Sequence, residues 1–597
     1  MALRALAGTL GRSSVARPPG LALEAGTRWT LRAGAFLLPL AYCWTTVDQF
    51  ALPKLVLARL LALCLFALWL AGWLRTGTPR LRRTPLDLPL LAFITSATVS
   101  TALAVNRSVA VFGTYLRYEG LLTLLTYAAL FWLVSQALTT RAEVRGLLRS
   151  LLAGAYVAAV VAVLQSVVAT ALGTVGPAET GFTFGGWVRA SGTFGNANFL
   201  GILLAMMLPV AVDGTLRERS GLDRALHANA VAVLVLALLL TFSRSAWLGA
   251  AAGVALAMWG PLSRSRRARA GALAGALLLL VVPAALAGSP AGRAVAARLV
   301  SLANPVAGTG STRLHIWAGT VRMIDARPLL GWGPDTFGLV YPEFRTGDWT
   351  PGAQVDRAHS DLLDVAAARG LLGAATYLAT LAALALAFWR GRRQEGALAA
   401  LGTVVAYEIP LQVNFAWVPV TAVFWILAAA AVATWTPPPP MGAGPAPMGG
   451  RSRAAVALAA ASGLGVLTAL TVGSPLLADM RFFEGVEARA HGDTAAARAR
   501  VAQARTLAPE EATYAGEAGD LALDLQPDGE PGPGADWAAA RAAYLDAISL
   551  GTSRAATYER LAAADRALGR DSEAEAAALG SHRVRRSFRP PRSSTPE

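Results

Sequence analysis

Residues 362–389 read LLDVAAARGLLGAATYLATLAALALAFW. A helix that crosses a bilayer needs about 20 mostly apolar residues, and this run meets that length. On its N-terminal side lies RAHSD, with His359 at the water boundary. On its C-terminal side stand Arg390, Arg392 and Arg393. Runs of this kind recur along the chain, near 33–48, 53–74, 86–105, 119–138, 150–172, 197–213, 227–242, 245–262, 270–288, 362–389, 396–414, 416–435 and 454–475. Pro39, Pro209, Pro283 and Pro410 interrupt some of them, which spanning helices tolerate where neighbours satisfy the freed backbone groups. Of the 597 residues, 55% are hydrophobic and 15% charged, where soluble domains carry about 25% charged residues. Mean hydropathy is +0.47. These values exclude a soluble enzyme, a disordered chain and a fibre. The predicted fold is all-α: a polytopic membrane protein of about thirteen spans with a C-terminal soluble helical-repeat domain.

The net charge is +16, yet Lys54 is the one lysine among 53 basic residues. The arginines sit in short clusters between apolar runs, a pattern that orients a membrane protein rather than binding nucleic acid. Arg75–Arg83, Arg141–Arg149, Arg217–Arg224, Arg264–Arg269, Arg390–Arg393 and Arg451–Arg453 together hold nineteen arginines. The alternate short loops hold Arg107, Arg117, Arg189 and Arg244, with Lys54 at an edge. The asymmetry places the first set and the N-terminus in the cytoplasm. An odd span count then puts the C-terminal region outside. The first 30 residues lack an apolar stretch ending in a cleavage site, so no removable signal peptide is expected.

The expected layout has a cytoplasmic segment at 1–32 and a membrane domain at 33–435. That domain includes a large external loop, 289–361. A Pro/Gly linker at 436–453 leads to a last span, 454–475. Residues 478–580 are Ala-rich, charged and helical in period. Asp493, Asp536 and Asp571 precede equivalent second helices, with spacings of 43 and 35 residues and an insertion QPDGEPGPGA in the longer one. That is close to the 34-residue tetratricopeptide hairpin; the alternative is a plain helical tail. The region holds no catalytic cluster, so it reads as an appendage that recruits a protein partner. The tail 581–597 is expected to be disordered.

Cys43 and Cys64 give no disulfide framework, and no pair among the five histidines has zinc-site spacing. No Walker loop, dinucleotide fingerprint or G-x-S-x-G elbow is present. No metal and no cofactor is therefore expected. The external arginines are more informative. Arg244, in TFSRSAWLG, sits where the charge trend disfavours a cation; it either snorkels or meets an anionic ligand. Arginine offers a planar fork of donors that matches phosphate oxygens. Arg189 lies in GGWVRASGTFGNAN, whose glycines and Asn196 permit tight turns and exposed donors. His359, with an ordinary pKa of about 6.5, is the natural external base.

These residues resemble a known family. HSDLLDVAAARGLLG is His359, Ser360, nine residues, Gly370, two residues, Gly373, similar to the H-[NSQ]-x9-G-x-x-G signature of the O-antigen ligase and polymerase family. TFSRSAWLG resembles that family's T-x-S-R-[GS] segment, and RASGTFGNANFLG its R-x-x-G-x-F-G-N-x-N-F segment. RLHIW and PLLGWGPDTF resemble the stretch before its histidine. The resemblance covers roughly residues 100–435. It implies a bacterial inner-membrane glycosyltransferase of the GT-C type, free of metal and nucleotide sugar, whose donor is a glycan on undecaprenyl diphosphate. It assigns His359 as the base and Arg244 and Arg313 as the diphosphate clamp. Arg313 has competitors in Arg322 and Arg327. Arg189 and Arg117 join as substrate-binding candidates. The acceptor is a lipid, protein or glycan, and a polymerase of the same family is the alternative to a ligase. A non-catalytic transporter or scaffold is the alternative from another class. Glu408 is the intramembrane carboxylate that would favour transport, unless it pairs with an external arginine.

Overall fold

A computed structural model describes residues 19–76, 81–173, 183–264, 289–301, 309–346, 354–436, 450–526 and 529–585. Apart from a two-stranded antiparallel ribbon, β1 (Thr183–Phe184) and β2 (Trp187–Val188), its regular elements are helical. In chain order they are α1 (Pro19–Leu37), α2 (Ala51–Thr76), α3 (Asp87–Ala102), α4 (Arg107–Phe112), α5 (Leu121–Ala137), α6 (Arg141–Leu172), α7 (Ala197–Arg217), α8 (Gly221–Leu240) and α9 (Arg244–Arg264). The large loop folds as α10 (Pro290–Val300), α11 (Thr309–Ala326) and α12 (Phe337–Phe344). Then come α13 (Asp361–Arg390), α14 (Ala397–Leu411), α15 (Val418–Trp435) and the long α16 (Gly450–Ala490). Helices α17 (Thr494–Leu507), α18 (Ala512–Ala522), α19 (Trp537–Ser549), α20 (Ala555–Ala567) and α21 (Asp571–Arg585) follow.

Among the described residues seven helices, α2, α6, α7, α8, α13, α15 and α16, are long and apolar enough to cross a membrane. The apolar helices α3, α5 and α14 are shorter. The chain is a multi-pass membrane protein, and the described residues hold these seven long apolar helices and three shorter ones against the thirteen spans expected. The expected span 270–288 and most of the linker and tail lie outside the described residues. The expected first span, 33–48, is different: α1 ends at Leu37, and turns run to Phe50. Asp48 is the reason. Its carboxylate accepts the backbone N–H groups of Phe50, Ala51 and Leu52, capping α2. Lys54, buried rather than at an edge, donates to the carbonyls of Ala41 and Thr193, holding the turn against a second loop.

Small residues set the packing of the bundle. A Cβ added to Gly402 would lie 2.3 Å from the Gly253 carbonyl oxygen, so α9 and α14 touch backbone to backbone. Helix α15 is buried around most of its girth, at the centre of the main core.

Helix α13 is not continuous. Gly370 adopts φ 69°, ψ −176° and splits it in two. The carbonyls of Ala367 and Ala368 accept from the N–H groups of Trp332 and Gly333, at 3.1 and 2.7 Å. The N–H of Leu371 donates to the Pro328 carbonyl at 2.7 Å. The break thus exchanges intrahelical bonds for bonds to PLLGWG, and the large loop is stitched into the bundle there. The loop has its own apolar core, including Ile316, Met323, Phe337 and Tyr341 against Ala358 and Ala367.

A buried ion triad holds the same region. The Arg357 guanidinium donates to Asp335 and, at 2.9 Å, to Asp364. Asp335 also accepts the backbone N–H groups of Thr114 and Glu119, at 2.8 and 3.0 Å. Asp364 accepts the Ala358 N–H at 3.0 Å. Three remote segments, 114–119, 335 and 357–364, are therefore pinned together.

The C-terminal helices pair α16 with α17, α18 with α19 and α20 with α21. Asp493 and Asp536 cap α17 and α19 by accepting the N–H groups of Ala496 and Ala539. No break separates the last expected span from this region, since α16 runs on to Ala490. The hairpins also rest on the bundle. Asn106 donates to the Ser549 carbonyl and Gln354 to that of Ser553. Asp479, fully buried, accepts the Asp48 N–H and the hydroxyls of Tyr115 and Tyr514.

Two outcomes are expected. Gly370→Ala forces a left-handed φ on alanine and puts its Cβ 2.2 Å from Leu329 carbon; a cost of at least about 1–3 kcal/mol should lower the thermal midpoint in detergent. An unchanged midpoint would refute the role of the break. Arg357→Met leaves two buried carboxylates unpaired, costing about 3–5 kcal/mol. Size-exclusion chromatography should show loss of the folded protein's peak, whereas wild-type behaviour would mean the triad is dispensable.

Candidate active site

The site is assembled from the ends of helices and the large loop. Asn196 caps α7 through its side chain, accepting the Asn198 N–H at 2.9 Å. Arg189, just before, donates Nε to the Thr241 carbonyl at 2.9 Å and Nη2 to Asn198 Oδ1 at 2.8 Å. Its guanidinium thus ties the end of α8 to the start of α7. Arg244, the first residue of α9, donates Nη1 to the Ser301 carbonyl at 2.8 Å. Arg298, on α10, donates Nε to the Phe242 carbonyl at 2.9 Å. The two arginines make reciprocal bonds across the junction of α8 and α9 with the large loop. Arg298 also stacks 4.6 Å from the Phe184 ring centroid.

Arg313, on α11, lies within electrostatic range of Arg244 and of His359. It makes no hydrogen bond or ion pair among the described residues. Its competitors sit elsewhere in the loop: Arg327 stacks on Trp332 at 4.2 Å, and neither it nor Arg322 is among the charges felt by His359.

His359 precedes α13 with φ +50°, a left-handed conformation unusual for histidine. The bond from Ala358 N–H to Asp364 and one from the Trp317 indole to the Ala358 carbonyl, 3.1 Å, hold the preceding peptide. Its ring meets Phe415 edge-on at 5.5 Å. Phe415 also carries Arg117, whose Cζ is 4.9 Å from the ring centroid and whose Nε donates to Asp356 at 2.6 Å. One aromatic ring thus contacts both His359 and Arg117.

The charges act on one another. Burial and then Arg313 hold the His359 imidazole below its ordinary 6.5, with Asp356 opposing. Burial, followed by Arg298, lowers Arg189 to about 10. Burial and Arg244 lower Arg313. Arg298 is lowered by burial, then by Arg244 and Arg313. Burial would raise Asp356, but Arg117, Arg357 and His359 together hold it below the ordinary carboxylate value. The guanidiniums stay charged at neutral pH. Like charges held this close are in mutual repulsion, which a polyanion relieves. The imidazole beside them is held below its ordinary pKa, which favours its neutral, proton-accepting form.

Arg244, Arg313 and His359 thus form one electrostatic neighbourhood, with Arg117 on its Asp356 side and Arg189 reached through Arg298. Arg298, Asp356 and Phe415 are additions that the motifs did not single out. A further external cation near the RLHIW stretch was the available signal for Arg298. Nothing local marks Phe415. Among the described residues Glu408 pairs with no external arginine; the Tyr377 hydroxyl lies 3.2 Å from both its oxygens.

No curated protein matches the chain. Residues 229–378, about a quarter of the chain, match the family model O-antigen ligase (Wzy_C), and this stretch runs from α8 through Arg244, Arg298, Arg313 and His359 into α13, so the protein is a multi-pass membrane protein in which the segment similar to O-antigen ligases carries most of the candidate site.

Proposed function

We propose that the protein transfers a glycan from undecaprenyl diphosphate to an acceptor hydroxyl at the outer face of the bacterial inner membrane. The observation that carries this reading is a histidine set beside several arginines, its imidazole held below its ordinary pKa by burial and Arg313, with Arg313 uncommitted to any protein acid among the described residues. His359 takes the proton of the acceptor hydroxyl as its oxygen attacks the anomeric carbon. The bond from that carbon to the diphosphate breaks with inversion. Arg244 and Arg313 stabilise the charge gathering on the departing diphosphate, and removing one such donor costs about 10²–10³-fold in rate. Arg189, Arg298 and Arg117 supply further field, Arg189 and Arg298 partly as anchors of the backbone around Arg244.

A ligase and a polymerase share this chemistry and differ in acceptor. In a deletion strain, accumulated full-length lipid-linked glycan marks a ligase, and lost length modality a polymerase. We read the C-terminal hairpins as tetratricopeptide-like and periplasmic, with a groove for a protein partner. The contacts of Gln354 and Asn106 with that region, at the end of the bundle that holds His359, support their lying on one side.

His359→Ala in nanodiscs should bind a polyprenyl-diphosphate glycan yet form no product by gel or mass analysis. Full turnover would remove the base assignment. The pH profile carries a second check. Only neutral imidazole accepts the proton, so activity rises with pH through the His359 pKa and levels above it. That midpoint should fall below 6.5, as burial and Arg313 require. Arg313→Gln removes a cation, so the acidic limb should move upward in pH while the plateau drops about 10²–10³-fold. An unmoved limb would place Arg313 away from the base.

A further inference from the structure

At the opposite end of α6 from the candidate site, a groove opens between α1 and α6, lined by Trp29, Arg32, Phe36, Arg149 and Ser150. Within it the Arg32 side chain packs on Gly146 of α6. A Cβ built there would lie 2.3 Å from Arg32 Nη2 and 2.7 Å from Nε. The Arg32 guanidinium therefore lies directly on the bare backbone of α6, a seat that only glycine leaves open. The surrounding cations are neutralised. Arg28 lies 4.0 Å from Glu143. Arg149 pairs with Glu218 at 2.8 Å and Asp223 at 3.4 Å. The Ser150 hydroxyl donates to the Gly146 carbonyl. Arg32 alone among these has no acidic partner among the described residues, and Glu24 is exposed two turns back on α1. Trp29, 70% exposed, stands at the rim.

We propose that this groove binds the headgroup of an anionic phospholipid. The phosphate would meet Arg32, the one cation of the groove without an acidic partner among the described residues. The glycerol and upper acyl chain would lie along Trp29 and Phe36. Two features favour a lipid over a soluble anion. The cation is paired with an interfacial tryptophan and an apolar wall, the composition of a headgroup boundary. The groove also sits in the arginine-rich flank that begins α6, where anionic lipid of the cytoplasmic leaflet gathers. The site is separate from the proposed transfer chemistry, and neither reading depends on the other.

Native mass spectrometry of the full-length protein, released from detergent with phosphatidylglycerol or phosphatidylcholine, tests this. Wild type should retain phosphatidylglycerol preferentially. Arg32→Gln should weaken that retention about tenfold, as expected for one charge-assisted contact. Gly146→Ala is the sharper variant. It leaves every charge in place and suits a helix, but its methyl displaces the flexible end of Arg32. It should lose preference as Arg32→Gln does, with an unchanged melting midpoint confirming the fold. Equal retention of both lipids by wild type, or variants that retain phosphatidylglycerol undiminished, would overturn the proposal. So would displacement of the lipid by millimolar inorganic phosphate, which would assign the seat to a free anion.

Discussion

Arg357 is the cation on which the site depends. It lies buried between Asp335 and Asp364, where an isolated charge is costly and a paired one is tolerated only with its remaining bonds in place. Both carboxylates have further work. Asp335 gathers the turn that carries Arg117, through Thr114 and Glu119. Asp364 fixes the peptide that precedes His359. A basic residue two places before the histidine thus acts as the pin through which three separated stretches of chain become one surface. Hydrogen bonds across the Gly370 break supply the second attachment, from the other side of the loop.

With that frame rigid, cations can be held near one another despite their repulsion. Arg189, Arg244 and Arg298 each direct a donor at a backbone carbonyl of a neighbouring element. Those bonds keep the guanidiniums in place without cancelling their charge. The imidazole of His359 is held down first by burial and then by Arg313, and the same cluster of cations is the surface that the proposed diphosphate would meet. Burial strengthens the effect, because charge interactions grow as water is excluded.

The C-terminal region is more closely joined to this machinery than an appendage would be. Helix α16 leaves the apolar bundle without interruption. A π-helical turn at Ala469–Gly473 marks the transition, and Arg59 donates to the Thr471 carbonyl there at 2.9 Å. Asp479 then joins the arm to Tyr115, two residues from Arg117. Displacement of the hairpins would be felt by the segment that holds Arg117.

Much of this was legible in the chain because it depends on local composition. Apolar length marks the candidate spans, and Asp493 and Asp536 mark helix starts by the same cap chemistry anywhere. The spacing from His359 to Gly370 was readable as a motif, but its cause was not: the glycine is needed because residues 328–333 approach the helix there. Other features required the folded molecule. The stretch 33–48 reads as a span by its apolar residues, yet beyond Leu37 Asp48 and Lys54 capture the backbone as turns. Arg298 and Phe415 have unremarkable neighbours in sequence, and Arg313 resembles Arg322 and Arg327 until the loop folds. Residue type and periodicity determine which segments can form helices and enter a membrane. Which charges share one small volume depends on long-range contacts such as the Arg357 triad, and only the tertiary structure decides it.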